Sequence, residues 1–179
     1  MRVIGGEWRS RKVSFASTED LRPTADRVRE TLFNWLQFDI VGARCLDLFA
    51  GSGALGIEAA SRGAKSVLSI ERNPEACSAI GSALQDLQAQ RVQLICADVM
   101  SVLSSDPEAP FDIVFVDPPF NKGLVAETLE LLEDHGWVVA GSKVYLEMEA
   151  VEPLADLPCG WDINKSGQAG EVAYYLCGK

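Results

Sequence analysis

The chain has 179 residues, of which 47% are hydrophobic and 23% charged, and this composition is typical of one soluble globular domain. Its formal net charge of −10 is unusual for a protein that binds RNA through phosphates. No apolar stretch approaches the roughly 20 residues of a membrane span, and no apolar signal segment follows the N-terminus, so we expect a cytoplasmic protein without a membrane anchor.

The cysteines and the single histidine do not predict a metal site. The five cysteines are scattered without C-x-x-C spacing, which is typical of reduced, packed thiols. His135 stands at the predicted end of a helix, where we expect it to cap the helix as a cation. We therefore expect no metal and, by default, a monomer.

Residues 1–20 predict a basic β-hairpin arm, and residues 21–179 a single domain. Two short strands, 2–4 and 12–15, flank a break at Gly5 and Gly6. Residues 1–29 carry a net charge of +3, whereas the rest of the chain carries −13. The arm is either an RNA contact, with a tryptophan available to stack on a base, or an ordinary solvated hairpin. The candidate RNA-binding residues are Arg2, Trp8, Arg9, Arg11, Lys12, Arg22 and Arg27.

An amphipathic helix is predicted over residues 25–36, with Val28, Leu32 and Trp35 on its apolar face. From this helix to residue 150, strands and helices alternate along the chain. Such alternation predicts a parallel sheet with helices on both faces.

A glycine-rich loop follows the first predicted strand, residues 43–49. It has the spacing G-x-G-x-x-G from Gly51 to Gly56 and leads into a predicted helix over residues 54–62. Glycines allow a tight turn and a close approach to a ligand, and the start of the helix presents unpaired N–H groups. The candidate cofactor-binding residues of this loop are Phe49, Ala50, Gly51, Ser52 and Gly53.

Acidic residues stand at the ends of three predicted strands. Glu71 closes the strand 66–70 and lies 20 residues beyond the first glycine of the loop, close to the ~20-residue spacing of an acid that binds a ribose. Asp47 precedes the loop, where it suits a cationic ligand. Asp98 follows the strand 92–96, where it suits an adenine amino group, the N-cap of the next helix, or both. With their neighbours, these acids complete the candidate cofactor set: Asp47, Glu71, Arg72, Asn73, Asp98 and Val99.

An acid, two prolines and an aromatic ring follow the apolar run 111–116. The prolines lack an N–H donor and force an abrupt turn at the carboxyl end of the strand, where open α/β sheets bind ligands. A planar base with an exocyclic amine suits this turn, because the ring would stack on Phe120 while the amine donates to the Asp117 carboxylate and the Pro118 carbonyl. The candidate catalytic residues are Asp117, Pro118, Pro119 and Phe120. The turn also fits a purely structural role.

The C-terminal third predicts a helix over residues 124–134, a strand over 143–148, and a closing strand pair. The pair comprises residues 161–165 and 171–177, with a turn at residues 167–170 between them.

The chain resembles the RsmD family, bacterial methyltransferases that modify the exocyclic amine of a guanine in 16S ribosomal RNA. The resemblance covers nearly the whole chain. It rests on residues 2–12 (RVIGGEWRSRK), 21–36 (LRPTADRVRETLFNWL), the glycine loop, Asp117 to Phe120, and residues 167–174 (GQAGEVAY). The two N-terminal stretches are the most specific to the family.

The resemblance implies a class I S-adenosylmethionine-dependent methyltransferase fold of the Rossmann-like type, with a mostly parallel seven-stranded sheet. It implies S-adenosylmethionine as cofactor and Thr24 in the segment that covers its methionine end. The implied partner is 16S rRNA in the small ribosomal subunit or in an assembly intermediate, and the implied role is in ribosome biogenesis.

Several alternatives stay open from the residues alone. An adenine-N6 or cytosine-N4 methyltransferase of DNA or RNA shares the chemistry, but on DNA it usually carries a recognition insertion for which this chain has no room. A dinucleotide oxidoreductase shares the glycine loop but needs a substrate domain. A non-catalytic RNA-binding assembly factor on the same fold would bind RNA without turnover.

Overall fold

The computed structural model describes residues 1–13, 26–120, 123–154 and 156–179, which contain five helices and seven strands. The helices are α1 (Asp26–Trp35), α2 (Ala54–Ser61), α3 (Pro74–Leu87), α4 (Val99–Leu103) and α5 (Leu124–Asp134). The strands are β1 (Arg44–Leu48), β2 (Ser66–Glu71), β3 (Val92–Cys96), β4 (Ile113–Val116), β5 (Lys143–Glu149), β6 (Asp162–Ala169) and β7 (Val172–Gly178). In this part of the chain, no helix is both long and apolar enough to cross a membrane.

All seven strands form one sheet in the order β3-β2-β1-β4-β5-β7-β6. The strands β1 to β5 are parallel, and β7 runs antiparallel between β5 and β6. The mostly parallel seven-stranded sheet is therefore confirmed. The strand order reverses beside β1, so the carboxyl ends of β1 and β4 flank the crevice in which open α/β sheets bind ligands.

The closing strand pair is longer than the sequence predicted. The predicted turn at residues 167–170 is wrong, because β6 continues to Ala169 and the chain turns at Gly170, whose φ is +62°. Gly167 pairs with Tyr174 inside the ladder, and a Cβ at Gly167 would lie 2.5 Å from the Tyr174 ring. This glycine therefore makes room for an aromatic side chain and does not form a turn.

The core has one layer on each face of the sheet. Alternate residues of β4 belong to different layers, as expected for a strand buried on both faces. Phe115 packs in the layer that contains α1 and α2, whereas Val114 and Val116 pack in the layer that contains α4 and α5. Because a core layer covers each face of the sheet, a ligand is expected at the edge where the parallel strands have their carboxyl ends.

The N-terminal segment 1–13 is docked on α2. A single antiparallel bridge joins Arg2 to Lys12, and Val3, Trp8 and Val13 are buried in the same core layer as α1 and α2. The expectation that Trp8 is available to stack on RNA is wrong, because its side chain is only 5% exposed. Residues 14–20 of the predicted arm, and the predicted boundary between residues 20 and 21, lie outside the described residues.

Helix α1 confirms the predicted amphipathic helix to within a residue at each end. Val28 and Leu32 are buried as predicted, whereas Trp35 is half-buried. Arg29 is also buried, which its charge did not predict. Its guanidinium donates to the Asp26 carboxylate at 2.6 Å and to the Arg2 carbonyl at 3.0 Å, so α1 also holds the N-terminal segment.

Candidate active site

A cavity of about 380 Å³ opens at the carboxyl edge of the sheet. It is lined by all four candidate catalytic residues and by ten of the candidate cofactor residues. These ten are Asp47, Phe49, Ala50, Gly51, Ser52, Glu71, Arg72, Asn73, Asp98 and Val99. Two candidates are not among its lining residues: Gly53 begins α2 beside the cavity, and Thr24 lies outside the described residues. The two predicted half-sites, one for a cofactor and one for a base, thus share one cavity.

The glycine loop has the backbone geometry that its sequence predicts. Gly51 and Gly53 have φ values of +56° and +73°, in the left-handed region that favours glycine. A Cβ at Gly56 would lie 2.8 Å from the Asp47 carboxylate and 2.6 Å from the Ser69 hydroxyl. The glycines therefore allow the tight turn and let α2 approach the strands closely.

Glu71 is fixed toward the glycine loop. One oxygen of its carboxylate accepts from the Gly51 N–H at 2.7 Å, and the other accepts from the Asn73 N–H at 2.7 Å. Only 8% of the residue is exposed, so it is not a solvated strand end. A carboxylate has about four acceptor positions, so the two hydrogen bonds from backbone N–H groups leave capacity for the hydroxyls of a ribose.

Asn73 and Asp98 cap the two helices that follow β2 and β3. The Asn73 side chain accepts from the backbone N–H groups of Glu75 and Ala76 at the start of α3. The Asp98 carboxylate accepts from the Ser101 N–H at 3.1 Å at the start of α4, as its N-cap interpretation predicted. Asp98 is exposed at the rim of the cavity, so its cap role is compatible with the predicted contact to an adenine.

Asp47 lies deep under the glycine loop, where only 2% of the residue is exposed. Burial has the largest effect and raises the pKa of this carboxyl to about 7. The Gly56 N–H donates to it at 2.9 Å and has the opposite effect on the pKa. The charges of Asp117 and Glu71 raise the pKa further, and the Ser69 hydroxyl lowers it. The carboxyl is thus partly protonated near neutral pH, and a cationic ligand would favour its ionised form.

We expect this carboxyl to make the affinity for a cationic ligand, such as the S-adenosylmethionine that the family resemblance implies, pH-dependent. Below a pH of about 7 the folded protein holds the Asp47 proton, which a cationic ligand must displace, so affinity should fall about 25-fold between pH 7.5 and pH 5.5. Equilibrium dialysis at several pH values measures this. The Asp47→Asn variant, which cannot titrate, is expected to bind more weakly and with a much flatter pH profile. Equal slopes in the two proteins would assign the dependence to the ligand or to another group.

The turn after β4 carries the candidate catalytic residues. The strand is buried along its whole length and ends at Val116; Asp117 and Phe120 are half-buried, and Pro118 lies buried between them. Pro118, Pro119 and Phe120 also line part of a smaller cavity of about 160 Å³. The turn therefore brings all four candidate catalytic residues to the lining of the larger cavity.

Five of the candidate RNA-binding cations are exposed: Arg2, Arg9, Arg11, Lys12 and Arg27. The Arg11 guanidinium donates to the Asp86 carbonyl at 2.9 Å, near the end of α3, and Arg27 adjoins Val28, which lines the cavity. Arg22 lies outside the described residues. These cations remain candidates for an RNA contact.

Glu147 is a cavity residue to which the sequence analysis assigned no role. It stands near the carboxyl end of β5, lines both cavities, and is 5% exposed. The Tyr145 hydroxyl donates to its carboxylate at 2.8 Å. The signal was present in the sequence, because an acid two residues after a tyrosine in an apolar strand lies on the same face as that tyrosine.

The expected absence of a metal stays a prediction. Within the described ranges, no group of three or more His, Cys, Asp or Glu side chains is arranged to hold a metal ion. His135 is the C-cap of α5, as its position predicted, and its Nδ1 lies 3.0 Å from an Asp106 carboxylate oxygen.

Comparison with known proteins gives matches over almost the whole chain. A family described as Conserved hypothetical protein 95 matches residues 1–178. Ribosomal RNA small subunit methyltransferase D of Escherichia coli (strain K12) is 46% identical over 176 residues, which cover 98% of this chain and 88% of that protein. The protein of the same name from Haemophilus influenzae is 40% identical over 179 residues, covering 98% and 92%. A solved structure of the putative methyltransferase yhhF from Escherichia coli has a TM-score of 0.93 at 45% identity, covering 100% of this chain and 97% of that one.

Proposed function

Since the chain belongs to the RsmD family of ribosomal RNA small subunit methyltransferases, we propose that it methylates the exocyclic N2 amine of one guanine in 16S rRNA, with S-adenosylmethionine as donor. One observation carries the proposal. Asp117, Pro118 and Phe120 line the same cavity as the glycine loop and Glu71.

The residues of the cavity fit S-adenosylmethionine. The fixed Glu71 carboxylate suits the ribose hydroxyls, and Asp98 at the rim suits the adenine amine. Asp47, buried beneath the loop, suits the cationic methionine end, which Thr24 is expected to cover. When bound, S-adenosylmethionine supplies an electrophilic methyl carbon whose bond to sulfur breaks with both electrons left on sulfur.

The protein's task is to hold the amine in line with that carbon. The target guanine would be turned out of its RNA context, at a cost of a few kcal/mol of lost stacking. Phe120 would stack on the base, while Asp117 and the Pro118 carbonyl accept the two amine hydrogens. These bonds favour a tetrahedral nitrogen whose lone pair points at the methyl group. Orientation therefore carries most of the catalysis, and Asp117 can accept the proton that the amine loses.

The substrate is expected to be RNA presented by the small ribosomal subunit or by an assembly intermediate. Residues 1–29 include exposed cations, whereas the rest of the chain carries a net charge of −13. A chain with this charge balance gains little from nonspecific phosphate binding, and proteins already bound to the RNA would reduce the contact surface that is needed.

We expect Arg9→Ala with Arg11→Ala to weaken RNA binding at least about tenfold and to leave cofactor affinity unchanged. Each lost phosphate contact should also reduce the slope of log affinity against log salt by about 1. RNA binding at several salt concentrations measures both effects. Lys65→Ala, which removes an exposed cation distant in sequence from the arm, is the control. Equal losses of RNA and cofactor affinity would indicate that the two arginines are structural.

The proposed reaction is tested by transfer of labelled methyl groups to small-subunit rRNA, free and assembled, with nucleoside analysis of the product. The proposal predicts N2-methylguanosine in one RNA fragment and faster transfer to the assembled form. Label on adenine or cytosine would overturn the choice of base. RNA binding without any label transfer would indicate a non-catalytic assembly factor.

A further inference from the structure

We propose that Glu147 reads the base: its carboxylate accepts the N1–H of the target guanine, while the Tyr145 hydroxyl holds that carboxylate in place. The inference rests on the proposed function and deepens it. It assigns to this site a residue that determines which base is accepted.

The sheet brings Glu147 beside Asp117. The strands β4 and β5 are parallel and pair Val116 with Leu146, so Asp117 and Glu147 occupy the next positions on neighbouring strands. Neighbouring strands lie about 4.8 Å apart. Both carboxylates line the cavity, at the wall where Phe120 stands. A base that stacks on Phe120 and donates its amine to Asp117 therefore presents its adjoining edge to Glu147.

The carboxylate of Glu147 has a fixed orientation. Tyr145 is fully buried, and its ring packs against Tyr174 with ring centroids 6.5 Å apart. Its hydroxyl donates to Glu147 at 2.8 Å, and the burial of the tyrosine, followed by the charge of Glu147, raises its pKa well above the usual range. The hydroxyl thus remains a donor at every physiological pH, and its hydrogen bond fixes the acid side chain.

Ionised carboxylates on neighbouring strands repel one another, and burial adds to the cost of a charge. A ligand offsets this cost when it presents a row of N–H donors. The Watson–Crick edge of guanine does so, with N1–H next to the N2 amine. Adenine and cytosine instead place an acceptor nitrogen beside their exocyclic amines. Once ionised, a carboxyl group can only accept hydrogen bonds, so an ionised Glu147 opposite that nitrogen would place two acceptors face to face.

The test uses 2-aminopurine, which keeps the 2-amine of guanine but has an unprotonated N1. Small-subunit RNA is ligated with either base at the position where nucleoside analysis has located methylation. The wild-type protein is expected to prefer guanine about 100-fold in kcat/KM, because the unpaired acceptor is rejected. In Glu147→Gln the preference should fall at least about tenfold, because the amide can donate to N1. Affinity for S-adenosylmethionine should stay within about twofold of the wild-type value.

Two further variants make the result decisive. Glu149→Gln makes the same change two residues along β5, outside the set of cavity-lining residues, and is expected to keep the wild-type preference. Tyr145→Phe removes only the hydroxyl and should lower the preference for guanine less than Glu147→Gln does. If circular dichroism shows that Glu147→Gln is unfolded, a lowered preference in Tyr145→Phe tests the inference in its place.

Failure of this inference differs from failure of the proposed function. If the wild-type protein makes N2-methylguanosine and both variants keep its preference for guanine over 2-aminopurine, the assignment of Glu147 is wrong and the reaction stands. If the wild-type protein makes no N2-methylguanosine, the proposed function is wrong, and the assignment of Glu147 falls with it.

Discussion

Replacing Asp117 with alanine is expected to reduce methyl transfer about 1,000-fold, the scale at which loss of one preorganised polar contact acts on a transition state. The carboxylate follows the buried strand β4 and lines the cavity beside Phe120. Without it the amine loses an acceptor, so the nitrogen is no longer aligned and its lone pair stays delocalised into the ring. The loss should appear in kcat more than in the affinity for the cofactor, which depends on other residues.

The measurement is single-turnover methyl transfer to small-subunit RNA, together with the dissociation constant of S-adenosylmethionine. Asp117→Asn keeps the shape and one acceptor oxygen, and we expect an intermediate rate from it. Asp156→Ala removes an exposed acid that does not line either cavity, and should be as active as the wild type. Activity at the wild-type level in Asp117→Ala would refute the role assigned to this carboxylate.

Replacing Glu58 with alanine is expected to lower the free energy of unfolding by about 3–5 kcal/mol, the usual cost of breaking a buried ion pair by removing one partner. Glu58 is fully buried in α2. Its carboxylate accepts from the backbone N–H groups of Ile4 and Gly5 at 2.8 Å each, and from the Arg62 guanidinium at 2.7 Å. The alanine variant leaves these donors without an acceptor at the place where residues 1–13 dock.

Urea unfolding gives the size of this effect, and amide hydrogen exchange gives its location. If the segment detaches locally, Ile4 and Gly5 should lose protection while the strands of the sheet keep theirs. Glu127→Ala, which removes an exposed acid from α5, is expected to change stability by less than about 0.5 kcal/mol. Wild-type stability together with protected Ile4 and Gly5 amides in Glu58→Ala would show that other contacts hold the segment.

The sheet and the walls of the cavity could be predicted because their signals are local. Helix α5 and strand β3 begin and end where the sequence predicted, and the predicted class I methyltransferase fold is confirmed. The turn at Asp117 needs only an apolar strand followed by two prolines. Parallel strands then bring Asp117 to the same edge as Glu71 and Asp98, which are far apart in the chain.

The docking of the N-terminal segment could not be predicted, because it depends on contacts between distant residues. A tryptophan among cations is a plausible RNA contact in sequence, and only the packing of segment 1–13 on α2 buries Trp8. Glu58 and Arg29 are polar in sequence, yet inside the protein they form hydrogen bonds with backbone groups more than 25 residues away. An acid within the otherwise apolar helix sequence 54–60 was the available signal for Glu58.

The most direct test of the central claim is mass spectrometry of small-subunit rRNA from cells that lack this gene and carry either the wild-type protein or Asp117→Asn. The account predicts one guanine that bears an N2-methyl group with the wild-type protein, loses it in the deletion strain, and regains little of it with the variant. N2-methylation that is unchanged in the deletion strain, with a modification lost from a different base instead, would contradict the account.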